Sequence, residues 1–214
     1  MATLAPENTY HETNAATANP LGLDGFEFCE FTSPDPDALA AQFEAMGFVA
    51  AHRHPSKDVV RYKQGKINLL LNRESTGQSA DFRAAHGPSA SGMAFRVADP
   101  QSAYAHAIEE GAQAVDAARG TLGEEACVIE GIGGSYLYLV KAGADLYADW
   151  TPVEGAAVAE AANNVGLDLL DHLTHNVRRG EMRTWSSFYG RLFGFRSRNI
   201  STSRARRRAC SLRR

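Results

Sequence analysis

His172 and His175 stand three residues apart in "LLDHLTHNV" (169–177), beside Asp171. Imidazole nitrogens and carboxylate oxygens are the donors of 2-His-1-carboxylate iron sites. Such sites need three ligands on one face, with positions left open for dioxygen and substrate. The stretch reads as a β-strand, and in a strand a separation of three sends two side chains to opposite faces. One strand therefore presents at most one of these histidines to a metal. Spacing alone also admits the plainer reading of a structural or half-exposed strand histidine. The other chemistry-bearing residues give weaker signals. His52 and His54 would share a strand face, but they sit at the end of a short strand and read as an exposed pair without function. His86 and His106 read as surface residues. Glu130 has no paired histidine and reads as structural, as does Cys29. Gly131, Gly133 and Gly134 lie between two strands rather than between a strand and a helix, which makes them a turn and not a phosphate loop.

The elements that must position these residues follow a repeating order. Phe26 and Phe28, and less cleanly Glu30, alternate as in a strand. "SPDPDALAAQFEAMGF" carries a helix start, with Ser33 or Asp35 as cap and a proline in the first turn. Leu39, Phe43 and Met46 share one face, and Gly47 stops the helix. Three short strands follow, Phe48–Ala51, Val59–Lys63 and Ile67–Leu71, the last two joined by a turn at Gly65. The pattern then returns: a strand in "SGMAFRV", a helix capped near Asp99 and stopped at Gly111, and two strands around Gly131–Gly134. The expected fold class is α+β, with paired βαβββ modules over residues 21–150. Residues 151–166, rich in alanine, read as a linker.

A third unit begins beyond the linker. Without a gap, Asp24 falls on Asp171, Gly47 on Gly194 and Phe48 on Phe195. Residues 167–195 supply its strand and helix. The tail 196–214 offers no apolar alternation for the remaining strands, so the third module is expected to be incomplete. Gly25 stands where the third unit has His172, and glycine offers no ligand.

Composition narrows the class. The chain has 214 residues, 44% apolar, and three scattered cysteines without CxxC spacing, which points to a reducing, cytoplasmic compartment. The first 20 residues lack a basic and an apolar region and read as a mobile arm. No apolar run reaches the roughly 18–20 residues of a membrane span, so no membrane partner is expected. The net charge is −3, yet residues 196–214 hold eight arginines and no acid, which leaves −11 on residues 1–195. An acidic body argues against nucleic acid. The basic tail alone would favour an anionic partner, but it lacks interleaved aromatics and follows a broken unit.

"LDHLTHNVRRGEMRTWSSFYGRLFGF" resembles the start of the catalytic domain of the 4-hydroxyphenylpyruvate dioxygenase family, in its bacterial form. The matching residues are Asp171–Val177, Arg179–Gly180, Trp185, Phe188–Tyr189 and Leu192–Phe195. "YADWTPVEG" resembles that family's exit from its metal-free N-terminal domain. The resemblance implies the vicinal oxygen chelate fold. It also implies an Fe(II)-dependent dioxygenase that converts an aromatic α-keto acid, 4-hydroxyphenylpyruvate, and O2 into homogentisate and CO2 in tyrosine catabolism. His172 carries over as the first iron ligand; His175 does not. The other two ligands lie on later strands that have no counterpart here, so this chain alone is expected to hold no Fe(II) and to show no turnover. The resemblance suggests homo-oligomers. Two other readings stand beside it: a 4-hydroxymandelate synthase-like dioxygenase, and a non-catalytic binding or dimerisation module.

The tail itself suggests why the third unit stops. With one choice of synonymous codons, Ser197–Ser211 regrouped two bases on reads Pro-Glu-Tyr-Leu-Asp-Ile-Lys-Gly-Ala-Gln-Thr-Gly-Leu-Phe, close to the family's next strand and turn. The expectation is a frameshift near codons 196–198.

Overall fold

The computed structural model describes residues 19–163 and 165–196. The arm up to residue 18, Cys210 and the tail from Ser197 onward, with the frameshift expectation attached to it, lie outside the described residues.

The first repeat forms as the alternation suggests. Strand β1 (Phe26–Thr32) leads into helix α1 (Pro36–Ala45), followed by β2 (Val49–Arg53), β3 (Val59–Gln64) and β4 (Ile67–Asn72). The cap on α1 is Asp35, whose carboxylate accepts from the Ala38 amide at 3.0 Å, with Pro36 opening the first turn. Gly47 ends the helix at φ +85°, a conformation that side-chain-bearing residues avoid. Across the sheet, β4 pairs parallel to β1, and β3 and β2 follow antiparallel.

The second repeat follows with helix α2 (Gln78–His86), strand β5 (Ser89–Val97), helix α3 (Pro100–Glu109), and strands β6 (Cys127–Glu130) and β7 (Tyr136–Lys141). Asp99 caps α3 through the Gln101 amide at 3.1 Å. β7 pairs parallel to β5 and β6 antiparallel to β7. The strand expected after the helix is reduced to one bridge, Ala114 with Ile129. The second module is therefore βα(bridge)ββ. β1 and β5 pair antiparallel and join the two repeats. A further two-residue strand, β8 (Thr151–Pro152), extends the far edge along β2, giving the order β6-β7-β5-β1-β4-β3-β2-β8.

Each face of this sheet carries its own core. One face buries Cys29, Phe43, Phe48, Tyr62, Leu71, Phe95 and Leu139 beneath α1 and α3. The other buries Phe28, Leu70, Ala94 and Tyr138 together with Tyr147 and Trp150 from the loop after β7. Desolvation on the first face pushes the Cys29 thiol up to about 12, so it behaves as a small apolar side chain.

Residues 151–166, expected as a linker, pack along the edge of the sheet as they leave it. After β8, helix α4 (Ala156–Ala162) packs against β2, and Glu160 pairs with Lys63. The Asn163 amide donates to the Gly47 carbonyl at 2.5 Å. The chain then runs back over the β3–β4 turn. There the Leu167 amide donates to Gln64 Oε1 at 3.0 Å, and the Lys66 amide donates to the Asp168 carbonyl at 2.8 Å. Helix α5 (Met182–Phe193) closes the described chain.

Candidate functional site

The segment that carries both histidines is not a strand. Residues 167–178 form no ladder with any described strand. A strand gains its hydrogen bonds only from neighbours, and the strands of a third module that would flank this one are not among the described residues. The segment is held instead by the Gln64 and Lys66 contacts at its start, by Leu170 and Leu173 against the first core, and by α5 at its end.

Helix α5 docks on the first face of the sheet. Leu192 and Phe193 are fully buried there, and the Phe193 ring lies 4.9 Å from Phe95. Phe188 and Tyr189 flank them against the same core. A half-built module would leave an apolar helix face open to solvent; here that face is covered by the N-terminal sheet. Gly194 ends α5 at φ +70°, with its amide on the Gly190 carbonyl at 3.1 Å.

His172 and His175 go to different surroundings. His172 projects into solvent, and its Nδ1 lies 2.9 Å from Asp171 Oδ2, a contact that orients the ring. His175 turns back to α5, where its Nδ1 lies 3.2 Å from the Tyr189 hydroxyl. Desolvation against this neighbour lowers the His175 pKa from its ordinary value and raises that of Tyr189 above the usual phenol range. Among the described residues, no group of three or more His, Cys, Asp or Glu side chains stands together as a metal cage. With one exposed imidazole and its neighbouring carboxylate, the donor set does not fit a three-ligand iron site.

The equivalent position in the first repeat is filled differently. Gly25 adopts φ +77°, and a Cβ there would lie 3.0 Å from Arg96 Nη2. The Arg96 guanidinium donates to the Asp24 carbonyl at 2.7 Å and the Phe26 carbonyl at 2.6 Å, and pairs with Glu27. A cation thus occupies the end of β1 where a metal ligand would begin.

The remaining candidates are structural in their contacts. His52 faces the Arg61 guanidinium at 3.3 Å, and Arg61 lies 3.7 Å over the Tyr147 ring while donating to Asn68. His54 Nδ1 accepts from the Ser56 and Lys57 amides, and its ring meets Trp150 at 4.9 Å. Burial lowers the pKa of both histidines. His86 packs on Phe82 and contacts the Gly133 carbonyl at 2.9 Å. The residue that sequence reasoning underrated is Glu30. It is fully buried, and its Oε1 accepts from Asn72 at 2.7 Å, Ser79 at 2.8 Å and Thr121 at 2.7 Å. Its only sequence signal is an acid in the inward phase of β1, between Phe28 and Thr32.

Sheet order, paired modules and a chain that restarts at Asp171 define a protein of the vicinal oxygen chelate class. The chain belongs to the family described as hydroxyphenylpyruvate dioxygenase, HPPD, N-terminal, which matches residues 17–150. It is 48% identical over 182 residues to a 4-hydroxyphenylpyruvate dioxygenase of Pseudomonas sp. strain P.J. 874, covering 83% of this chain and 50% of that protein. Among solved structures, a xylose isomerase-like TIM barrel/4-hydroxyphenylpyruvate dioxygenase fusion protein superposes with a TM-score of 0.71 at 32% identity, over 82% of this chain and 28% of the other. A mutant 4-hydroxymandelate synthase from Streptomyces coelicolor shares the fold, with a TM-score of 0.62 at 22% identity, over 81% of this chain and 53% of the other. The chain spans about half the length of the curated relatives it matches.

Proposed function

We propose that this chain is the N-terminal domain and the opening of the catalytic domain of a 4-hydroxyphenylpyruvate dioxygenase. In that reading, residues 21–150 are the metal-free domain, 151–166 connect, and 167–195 begin the catalytic half. The observation that carries it is the dense motif from Asp171 to Phe195, on a chain 48% identical to such a dioxygenase. The reaction is that of the whole enzyme: 4-hydroxyphenylpyruvate and O2 to homogentisate and CO2 in the cytoplasm, with Fe(II) supplying the oxygen chemistry when bound. His172 is the proposed first ligand, and its contact with Asp171 is the kind of neighbour that fixes a ligating ring. The other ligands would come from the catalytic half beyond residue 195. In that reading, residues 167–195 supply one of the three ligands.

Two measurements test this. Sequencing the DNA past codon 195 in all frames should show the missing strands in another frame; their absence defeats the frameshift. The purified chain, given Fe(II) and 4-hydroxyphenylpyruvate, should consume no oxygen and bind no stoichiometric metal. Turnover would overturn the assignment of the missing ligands to the later half. The shared fold of the mandelate synthase keeps that second product in view, and product analysis of the restored full-length enzyme separates the two.

A further inference from the structure

A cavity of about 440 Å³ lies at the β6 end of the sheet. All its walls come from residues 54–150, so it belongs to the two repeats and not to the α5 segment. Its floor is apolar: Leu122, Leu139, Val140, Leu146 and Trp150. Trp150 is set by Tyr147, edge-on at 5.3 Å, and by the His54 ring at 4.9 Å. The exposed side chains that line it include Glu125, Lys141 and Asp149. β6 and β7 pair antiparallel with Cys127 opposite Leu139, so Glu125 and Lys141, each two residues beyond that pair, leave the ladder at the same end. Among the described residues, none of the three charged side chains makes an ion pair or a hydrogen bond. Asp99, whose carboxylate senses the Lys141 charge, is already engaged by the Gln101 amide at 3.1 Å and the Ser102 hydroxyl at 2.6 Å.

Three properties define what fits. The volume lies low in the range of about 300–1,000 Å³ typical of small-molecule sites, which suits one small guest and not a peptide. The floor is mostly aliphatic, with one indole, and gains by covering an apolar side chain. The rim presents both signs of charge, two carboxylates and one ammonium. A guest of single charge would pair with one sign and be repelled by the other. A zwitterion whose ammonium and carboxylate stand on one carbon pairs with both. We propose that this cavity binds a free α-amino acid with an apolar side chain of leucine's size. Its ammonium lies beside Glu125 and Asp149, its carboxylate beside Lys141, and its side chain on the floor from Leu122 to Trp150. The site is independent of the role proposed for His172. An occupant ties the turn before β6 and the loop after β7 to the end of the sheet, and so stabilises the N-terminal repeats.

The test uses the full chain carrying Trp185→Phe, which leaves Trp150 as the reporter of the two tryptophans. The probe is L-leucine, titrated by calorimetry and by Trp150 fluorescence. Three comparison compounds each lack one feature: 4-methylpentanoate the ammonium, 3-methylbutylamine the carboxylate, and L-serine the apolar side chain. The expected result is saturable one-to-one binding of L-leucine at millimolar concentration, with each comparison compound at least about tenfold weaker. Lys141→Gln, and Glu125→Gln combined with Asp149→Asn, alter exposed side chains and keep the core. Each set should weaken L-leucine about tenfold. His172→Ala should change nothing. Absence of saturable binding, a comparison compound that binds as tightly as L-leucine, affinity untouched by either set of substitutions, or loss on His172→Ala would each overturn the proposal.

Discussion

Residues 24–48 and 171–195 have the same length and the same order of signals, yet only one of the two completes its unit. In the first, β1 lies between β4 and β5 and is bonded on both sides. In the second, the corresponding segment has no strand on either side among the described residues. Both helices form. α1 starts at Pro36 and α5 at Met182, and each ends at a glycine of positive φ followed by a phenylalanine. The difference shows where each kind of element finds its hydrogen bonds. A helix closes its own ladder, so α5 survives without its module and needs only a surface for its apolar face. A strand borrows its ladder, so the same pattern without neighbours stays irregular.

The comparison can be broken most forcefully at the buried aromatic anchors. Phe43→Ala and Phe193→Ala should each cost about 3–5 kcal/mol in local packing. The first should lower the urea midpoint of the whole sheet, because Phe43 touches Phe31, Phe48 and Tyr62. The second should release residues 165–196 in hydrogen exchange while the sheet holds. If Phe193→Ala unfolds the sheet as well, the two regions are one cooperative unit and the contrast fails.

A smaller difference is expected at the terminating glycines. Both Gly47→Ala and Gly194→Ala force an alanine into the left-handed region, a cost of about 1–2 kcal/mol. Gly47→Ala should cost more, since its Cβ would lie 2.6 Å from Val165 Cγ2. Thermal melts of the two variants should rank them in that order. Equal shifts would mean that Val165 yields freely.

Capping separates the helices by about as much. Asp35→Ala should lose about 1 kcal/mol. Glu181, at the start of α5, makes no side-chain cap bond, so Glu181→Ala should stay within about 0.5 kcal/mol. Denaturant titration of both checks this, and a costly Glu181→Ala would reveal a cap formed in solution.

The gentlest probe is pH. Desolvation lowers the His175 pKa below its ordinary 6.5, so the neutral ring belongs to the docked state. Its contribution is complete above about 6.5 and is lost as pH falls through the lowered value, because the released segment binds the proton more readily. Exchange across α5 should quicken below pH 6.5, and His175→Gln should flatten that slope. An unchanged slope in the variant assigns the effect to other groups. The sheet's own lowered histidines, His52 and His54, should not move with it.

Much of this fold is legible in the sequence where the signals are local. Asp35–Pro36 and Asp99–Pro100 announce α1 and α3, and alternation announces the strands. α2 is not legible. Its cap, Gly77, makes no side-chain bond, and the residues it buries are the polar Gln78 and Ser79. These become core residues only because Gln78 donates to the Ser91 and Gly134 carbonyls and Ser79 donates to Glu30. Glu30 is illegible for the same reason, since its partners come from positions 72, 79 and 121. In the candidate site, the role proposed for His172 rests on the motif, while the unpaired state of its segment follows from what surrounds it. The docking of α5 is half legible: its apolar face is written in Phe188, Tyr189, Leu192 and Phe193, but the sheet that receives it is distant in sequence.

The plug at Gly25 bears on how duplicated units part company. A single change of Gly25 to histidine would not by itself place a ligand there. The new side chain would need φ +77° and would meet Arg96 Nη2 at 3.0 Å from its Cβ. Removing Arg96 first would strand the Asp24 and Phe26 carbonyls and leave Glu27 without its cation. Each order of steps crosses a damaged intermediate. The Arg96 guanidinium thus ties the entry of β1 to β5, and Gly25 is the residue that leaves room for it.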